Sequence, residues 1–342
     1  MTREQVIELF HSDDLIGIGM EADAVRHKWH PEPVVSYIID RNINYTNFCT
    51  EYCSFCAFYR PMGHPEGYIQ PKEVIYEKIQ ETLDLGGTGI LMQGGLHPDL
   101  KIEWYEDLFR SIKERFRIHL HCLSAPEVTN IAEVSGISLR DTIARLRDSG
   151  LDSIPGGGAE ILDDAVRHRI SRLKCSVQDW IDVHRTAHQL GMRTTATMMF
   201  GCGETIEQRV HHLELVRNLQ EETGGFTAFI PWTFQRENTS LGRFVKEEAT
   251  AVEYLQTLAI SRIYLDNFEN VQSSWVTQGL KTCQLGLRFG GNDVGSIMIE
   301  ENVVSAAGAH HRTSEEELRR IIRNAGFIPK QRDTLYRTYF LN

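Results

Sequence analysis

The sequence predicts an α/β fold, a (β/α)8 barrel of the TIM type that is preceded by a helical segment. It does not decide whether the barrel closes at its last strand. Short apolar runs alternate with amphipathic stretches of helical length, and strands separated in this way pair in parallel through right-handed crossovers. Seven or eight such units in about 300 residues fit a barrel better than two packed domains. A doubly wound sheet is the alternative, but cysteines occupy the place of its glycine-rich phosphate turn. We therefore expect an N-terminal helical segment at 1–33 and a barrel domain at 34–342 that includes the C-terminal helix and tail.

The first half of the barrel begins with a predicted strand at 34–44, which runs into a cysteine-rich loop. A helix follows at 72–85, because Ile75, Ile79 and Leu83 recur on one helical face. The next predicted elements are a strand at 89–93, a helix at 103–115, a strand at 117–123, a helix at 138–149 that Gly150 ends, and a short run at 152–155 before three glycines.

The second half repeats the alternation. The run at 194–200 (TTATMMF) has the β-branched and apolar content of a buried strand. The last clear helix begins after Ser314, forms a capping box with Glu317 and ends at Gly326. The other predicted elements are helices at 176–190, 204–222 and 250–264 and strands at 226–232 and 271–275.

Composition narrows the functional class. The chain has 47 acidic and 36 basic residues among 342, a net charge of −11, which argues against a general nucleic-acid binder because phosphate contacts need clustered cations. The N-terminus lacks the apolar region of a signal peptide, and no run approaches the roughly 18 apolar residues of a membrane span. We therefore expect a cytoplasmic enzyme with no membrane partner. In such a compartment clustered cysteines favour metal binding over disulfides.

Three of the seven cysteines form a Cys-x3-Cys-x2-Cys loop at Cys49, Cys53 and Cys56. Soft thiolates select iron–sulfur clusters, zinc or Cu(I). A 4Fe–4S cluster normally takes four thiolates, so three from one loop leave an iron open for catalysis. A zinc knuckle with His64 or another fourth ligand is the alternative, but the loop follows the first barrel strand, at the end where active sites lie in this fold. We interpret the other cysteines as small buried hydrophobic residues: Cys122, Cys175, Cys202 and Cys283.

This loop, with an aromatic residue just before the third cysteine, resembles that of the radical S-adenosylmethionine (radical SAM) enzymes. The resemblance implies a 4Fe–4S cluster and S-adenosylmethionine, whose methionine part binds the open iron and which yields a 5′-deoxyadenosyl radical. Further segments resemble one group within that family, the cyclases of the futalosine route to menaquinone. These segments are RNINYTNFC, FCAFYR, LMQGGLHPDL, LSAPE, PGGGAEIL, TTATMMFG, FIPWTFQ and EENVVSAAG, spread from about residue 40 to about residue 310.

The narrower resemblance implies a small-molecule substrate, dehypoxanthinyl futalosine, which joins a benzoate through a ketone linker to a ribose that has lost its base. The radical would remove the ribose C4′ hydrogen, and the new carbon radical would add to the benzoate ring. Loss of one electron and one proton then restores aromaticity. An external one-electron donor such as flavodoxin or ferredoxin is also implied. The alternatives are aminofutalosine synthase, and a non-catalytic iron–sulfur or zinc protein.

Cofactor contacts are predicted as well, from the resemblance for the glycine pair and Glu160 and from character and position for Phe55 and Ser124. Phe55 would shield the cluster, and Gly94 and Gly95 would offer backbone groups to the cofactor's ammonium, with a plain tight turn as the alternative. Ser124 would bind the cofactor's carboxylate or ribose, or else cap the following helix. Glu160 would accept the ribose hydroxyls, or else stabilise a helix start.

Substrate contacts are predicted from position near strand ends. Arg60 is a candidate for the benzoate, although arginine is usually a surface residue. Thr233 and Gln235 would reach the ribose or the ketone. Asp293 would take the released proton if its pKa suits, with His97 as a rival base. The alternatives for these two are a turn aspartate without a role and a histidine held in a structural hydrogen bond.

Overall fold

A computed structural model describes residues 1–337, 339 and 340. Within this range seven parallel strands form one curled sheet in the order β2-β3-β4-β5-β6-β7-β8. Its strands are β2 (Asp40–Ile43), β3 (Gly89–Met92), β4 (His119–Cys122), β5 (Ser153–Ile154), β6 (Arg193–Phe200), β7 (Phe226–Thr233) and β8 (Asn270–Val271). The carboxyl ends of all these strands therefore face one end of the molecule, as in the predicted barrel.

The open side of this sheet is spanned by a second sheet of four strands, which are β1 (Val34–Ile38), β9 (Asp293–Ser296), β10 (Ile328–Arg332) and β11 (Tyr339–Phe340). The predicted first strand divides at Ile39, so β1 belongs to one sheet and β2 to the other. Strand β9 pairs in parallel with β1 and touches the end of β8 through one bridge, Gln272 to Asp293. The curled sheet is thus open, and β9 and β1 complete the wall around a central lumen.

Helices cover the outside of the sheet. They are α1 (Arg3–Phe10), α2 (Leu15–Trp29), α3 (Lys72–Asp84), α4 (Ile102–Arg115), α5 (Ala125–Ser135), α6 (Leu139–Asp148), α7 (Asp164–Ile170), α8 (Val177–Gln189), α9 (Ile206–Thr223), α10 (Ala251–Tyr264), α11 (Gly279–Gly286), α12 (Val303–Ala306) and α13 (Glu315–Asn324). The first two pack on α9 and α10, so the N-terminal segment is helical as predicted. The domain boundary at residue 33 stays a prediction.

Local sequence explains these helices. In α8 the buried residues Trp180, Val183, His184 and Ala187 recur with the spacing of one helical face. Its N-terminus is closed by a capping box between Ser176 and Asp179. At Ser314, where the sequence predicted a capping box, the Ser314 hydroxyl accepts from the backbone N–H of Glu317 at 3.2 Å, which is one half of that motif.

The C-terminal segment closes the N-terminal end of the lumen. Strand β10 pairs with β1 in parallel, which the sequence analysis did not predict. The chain after it crosses the barrel floor, where Thr334 lies so close to Gly89 that a Cβ added there would be 2.5 Å from the Thr334 hydroxyl. Within the described part of the chain, no helix has the length and apolar character needed to cross a membrane.

Candidate active site

The cysteine loop leaves the carboxyl end of β2 and is held by backbone hydrogen bonds. Cys49 N–H donates to the Arg60 carbonyl at 3.0 Å, and Cys56 N–H donates to the Cys53 carbonyl at 3.1 Å. Ser54 N–H donates at 2.8 Å to the carbonyl of Ile170, which ends α7. The loop is therefore fixed to the barrel end at which the strands converge.

The three thiols lie in a shielded environment. Cys49 and Cys53 are buried, and Cys56 is half-buried. Burial raises the pKa of Cys53 to about 12, and the charge of Lys174 opposes that rise. Burial also raises the pKa of Cys49 and Cys56, while backbone N–H groups facing each sulfur act in the opposite direction. Hydrogen bonds of this kind to sulfur also tune iron–sulfur ligands.

A cation and a carboxylate flank the thiols. The Lys174 ammonium donates to the Glu160 carboxylate at 2.8 Å and lies 5.0 Å from the centre of the Phe55 ring. Both side chains of this ion pair are at most 10% exposed. Glu160 has a positive φ of 47°, a conformation that costs energy for a non-glycine residue. The structure thus brings two predicted cofactor residues, Phe55 and Glu160, together beside the cysteines.

The glycine pair after β3 lies against the cysteine loop. A Cβ added to Gly95 would be 2.1 Å from the Phe48 carbonyl oxygen and 2.8 Å from the Cys49 Cβ, so no other residue fits there without displacing the loop. Gly94 packs similarly on the Tyr45 ring, where an added Cβ would be 2.7 Å from the nearest ring atom. Both glycines are therefore required for close approach of strand β3 to the loop.

A buried carboxylate joins three strand ends around this pair. Glu127 accepts hydrogen bonds from Gly94 N–H at 2.9 Å, the Tyr45 hydroxyl at 2.7 Å, and Ser124 through its N–H at 2.7 Å and its hydroxyl at 2.6 Å. Ser124 is the N-cap residue of α5, which was the structural alternative for this residue. A contact between Ser124 and a cofactor stays a prediction.

A cavity of about 310 Å³ occupies the lumen. Gln93, directly before the glycine pair, lines it, so the pair lies between the cysteine loop and the lumen. Trp232 and several hydroxyl and amide side chains face the same space. The wall also includes Asn42, Gly156, Gly157, Thr195, Thr197, Gln272, Ser274, Thr277, Met298 and Glu301.

The floor of the lumen is charged. Arg332 and Tyr336 from the C-terminal segment line it together with Asp40 and His121. His121 Nδ1 lies 2.6 Å from the Ser153 hydroxyl, and burial lowers the pKa of His121 to about 3. The imidazole is therefore neutral at physiological pH.

The predicted substrate residues lie at the rim or outside the lumen. The Arg60 guanidinium donates to the Glu66 carboxylate at 2.7 Å and lines an open surface cleft of about 910 Å³ with Cys56. Thr233 ends β7, is buried, and accepts from the Gln278 amide. Gln235 donates to the Thr233 carbonyl at 3.1 Å. Their contacts with substrate stay predictions.

The predicted location of Asp293 was wrong. We expected it near the carboxyl end of a strand, whereas it is the first residue of β9 and lies at the opposite end of the barrel. It is fully buried and pairs with Arg332 through contacts of 2.6 and 2.9 Å. The error arose because the glycines of GGND precede a strand instead of following one. His97 does follow the glycine pair, but its Nδ1 accepts from Asp99 N–H at 3.1 Å, the structural hydrogen bond considered as its alternative.

Sequence reasoning missed the residues that line the lumen. Two signals were available: Asp40 and Asn42 alternate in the first strand, and Thr195 and Thr197 alternate in TTATMMF. Polar residues at period two in a buried strand indicate an interior surface. Lys174 has no comparable signal, because a single lysine between leucine and cysteine belongs to no recognisable motif.

Among residues 1–337, 339 and 340, no group of three or more His, Cys, Asp or Glu side chains lies in an arrangement that could hold a single metal ion.

Comparisons with known proteins agree with this site. A model of the radical SAM superfamily matches residues 43–216, and a model described as the CofH/MqnC C-terminal region matches residues 223–341. A cyclic dehypoxanthine futalosine synthase from Halalkalibacterium halodurans is 52% identical and covers 98% of this chain and 90% of its own length. One from Streptomyces coelicolor is 45% identical over 98% of this chain and 85% of its own length.

More distant proteins are also similar. A 5-amino-6-(D-ribitylamino)uracil–L-tyrosine 4-hydroxyphenyl transferase from Methanococcoides burtonii is 42% identical over 93% of this chain and 90% of its own length. Among solved structures, methylornithine synthase superposes with a TM-score of 0.73 at 18% identity, over 96% of this chain and 94% of that one. The hydrogenase maturase HydG superposes with a TM-score of 0.75 at 13% identity, over 96% of this chain and 72% of that one. These two structures confirm the fold, and the sequence matches confirm the family: the chain belongs to the radical SAM superfamily of enzymes and, within it, to the family that contains the cyclic dehypoxanthine futalosine synthases.

Proposed function

We propose that this enzyme converts dehypoxanthinyl futalosine to its cyclic form in menaquinone biosynthesis, with a 4Fe–4S cluster and S-adenosylmethionine as cofactors. One observation carries the proposal: three thiols on one loop lie at the carboxyl end of the barrel, where the glycine pair packs on that loop and the preceding residue, Gln93, lines the lumen. The 52% identity to a cyclase of that name supports the choice of reaction.

The residues present fit a cluster with one open iron. Cys49, Cys53 and Cys56 supply three sulfur ligands, and the buried cation Lys174 lies where it offsets the negative charge of thiolates. The backbone N–H groups that face Cys49 and Cys56 stabilise the same charge. This donor set suits iron and sulfide better than a hard cation, which prefers oxygen ligands.

The surroundings also fit S-adenosylmethionine. Gly95 allows backbone to approach the loop closely, and Gly157, which follows β5, packs closely on Gln93, since a Cβ there would be 2.5 Å from the Gln93 amide nitrogen. Glu160 provides a buried carboxylate for ribose hydroxyls. In this proposal Lys174 holds the Glu160 carboxylate in place until the ligand arrives.

The lumen fits a compact substrate that is partly aromatic. Its volume of about 310 Å³ is at the lower end of ligand sites, which span about 300–1,000 Å³. Trp232 offers a flat apolar surface, and Thr195, Thr197 and Ser274 offer hydroxyls for the ribose and the ketone. Ring closure requires the substrate to fold so that its ribose approaches its benzoate ring. A narrow lumen favours that conformation, because a substrate already held in it loses little further entropy when the ring closes.

When bound, S-adenosylmethionine would supply the 5′-deoxyadenosyl radical, and the cluster would supply the electron that cleaves it and accept the one released at the end of the reaction. The protein orients the ribose C4′ hydrogen and the benzoate ring within the lumen. It also excludes water, because the C-terminal segment closes the floor. An external electron donor such as flavodoxin or ferredoxin completes the proposal.

Anaerobic reconstitution with iron and sulfide, reduction with dithionite and product analysis test this function. With dehypoxanthinyl futalosine present, the enzyme should form 5′-deoxyadenosine from S-adenosylmethionine. It should also form a cyclised product whose mass is that of the substrate minus two hydrogen atoms. Incubation with tyrosine and the ribitylaminouracil, the substrates in the transferase name, should yield neither adduct nor increased 5′-deoxyadenosine. The opposite pattern would assign the transferase reaction, and an enolpyruvyl substrate consumed in place of both would assign aminofutalosine synthase.

A further inference from the structure

Two carboxylates line the lumen, Asp40 and Glu301. Both carboxylate oxygens of Glu301 already accept hydrogen bonds. They accept from the backbone N–H groups of residues 303, 304 and 305 at 2.7–2.9 Å and so cap the short helix α12. Asp40 has no ion-pair partner within the described residues. Apart from a hydrogen bond with Ser296, the Asp40 carboxylate is therefore the one in the lumen that can accept from a ligand.

The strand register explains why Asp40 faces open space. Asp40 pairs with Gly89 on β3, and Gly89 pairs with His119 on β4, so the neighbouring position on the wall has no side chain. On its other side β9 presents Ser296, which hydrogen-bonds the carboxylate. The charged groups that act on Asp40 are Arg332 from the C-terminal segment and Asp293 from β9.

The rival bases are occupied or poorly suited. Both oxygens of Asp293 accept from Arg332, and Ser36 and Gly295 add further hydrogen bonds at 2.6 and 2.8 Å. His121 has a pKa of about 3, so its affinity for a proton is low at neutral pH. His97 does not line the cavity.

We propose that Asp40 is the base that takes the proton released when the benzoate ring regains aromaticity, an inference that rests on the proposed cyclase function. After the new carbon–carbon bond forms, the attacked ring carbon carries a C–H bond beside a delocalised unpaired electron. When that C–H bond breaks, its proton goes to an Asp40 carboxylate oxygen. Of the three electrons left, two complete the aromatic system and one passes to an oxidised iron–sulfur centre.

The electrostatics of Asp40 suit this reaction. Burial raises the pKa of Asp40 to about 6, and the hydrogen bond from Ser296 and the charge of Arg332 limit the rise. A general base works best when its pKa lies near the operating pH, since it is then ionised yet still basic. An ordinary aspartate would be a weaker acceptor.

The test compares Asp40→Asn, Asp40→Glu and the exposed control Asp84→Asn with wild type, measuring cyclised product and 5′-deoxyadenosine separately. We expect Asp40→Asn to keep 5′-deoxyadenosine formation while the ratio of product to 5′-deoxyadenosine falls about 100-fold or more. Asp40→Glu should restore part of that ratio, and Asp84→Asn should equal wild type.

A second measurement does not depend on turnover. In the reconstituted enzyme without substrate, infrared difference spectra against Asp40→Asn should show a protonated carboxyl band that titrates near pH 6. The inference is overturned if wild type makes the cyclic product and Asp40→Asn keeps its product ratio, or if the carboxyl titrates at an ordinary aspartate pKa. If wild type makes no cyclic product, the proposed function itself fails.

Discussion

The ion pair between Asp293 and Arg332 gives the sharpest prediction, because it separates a structural aspartate from a catalytic one. Asp293 is fully buried and accepts two hydrogen bonds from Arg332, one from Ser36, one from Gly295 N–H and a longer one of 3.3 Å from Tyr336. Asp293→Asn keeps the size of the side chain but removes the charge and turns one acceptor into a donor that faces other donors.

The cost follows from burial. Removing one partner of a buried ion pair costs about 3–5 kcal/mol, because the remaining charge is left uncompensated. Total stability is only about 5–15 kcal/mol, so this is a large fraction of it. We expect the midpoint of thermal unfolding to fall on the order of 5–10 °C for Asp293→Asn. Arg332→Met should behave similarly, and the double variant should lose less than the sum of the two.

Differential scanning calorimetry on the reconstituted enzyme measures this loss, and assays at a temperature well below unfolding measure cyclisation. A suitable control is Asp266→Asn, which breaks a surface pair with Arg217 and should cost roughly 0–1 kcal/mol. Unfolding within 1–2 °C of wild type together with abolished cyclisation would refute the reasoning, since Asp293 would then act in the chemistry and not in the fold.

Three further predictions concern the carboxyl end of the barrel. Cys49→Ser, Cys53→Ser and Cys56→Ser should each lose most bound iron and acid-labile sulfide, whereas Cys175→Ser should retain both; equal metal loss in Cys175→Ser would contradict the ligand assignment. Gly95→Ala should lose cluster content while circular dichroism stays unchanged, because its Cβ would lie 2.1 Å from the Phe48 carbonyl oxygen; full iron content would show that the loop moves freely. Glu127→Gln should lower stability by about 1–3 kcal/mol in chemical denaturation, since an amide nitrogen replaces an oxygen that accepts from buried donors, and an unchanged midpoint would mean that those donors find other partners.

The sequence predicted the carboxyl end of the barrel well, because the chemistry there depends on short motifs. The cysteine spacing identified the loop, and the helical and strand periods placed it after the first strand. Cys49, Cys53 and Phe55 follow from the cysteine motif and Glu160 from the glycine run before it, yet all four lie together in the structure. Local patterns suffice here because parallel strands bring their carboxyl ends to one place whatever the rest of the fold does.

Long-range pairing limited the prediction elsewhere. Strand β10 has no strong period and contains a proline, yet it pairs with β1 almost 300 residues earlier. The place of Asp293 depends on that pairing, because Arg332 is the last residue of β10. Nothing near GGND reveals a cation 39 residues further on. An aspartate that ends in a buried ion pair and one that faces a ligand are therefore indistinguishable in a single sequence.

This distinction explains how two aspartates near Arg332 divide their tasks, Asp40 in the lumen floor and Asp293 buried behind it. Asp293 and Asp40 both lie near Arg332, but of these two carboxylates the guanidinium donates only to Asp293. Arg332 thereby holds the Asp293 carboxylate in a fixed ion pair, while Asp40 interacts with the Arg332 charge and retains a raised pKa. If Arg332 were moved to Asp40, that carboxylate would become a weaker base, and Asp293 would be left as an unpaired buried charge. The C-terminal segment therefore closes the barrel and also holds Asp293 in an ion pair, which leaves Asp40 as the aspartate that faces the lumen.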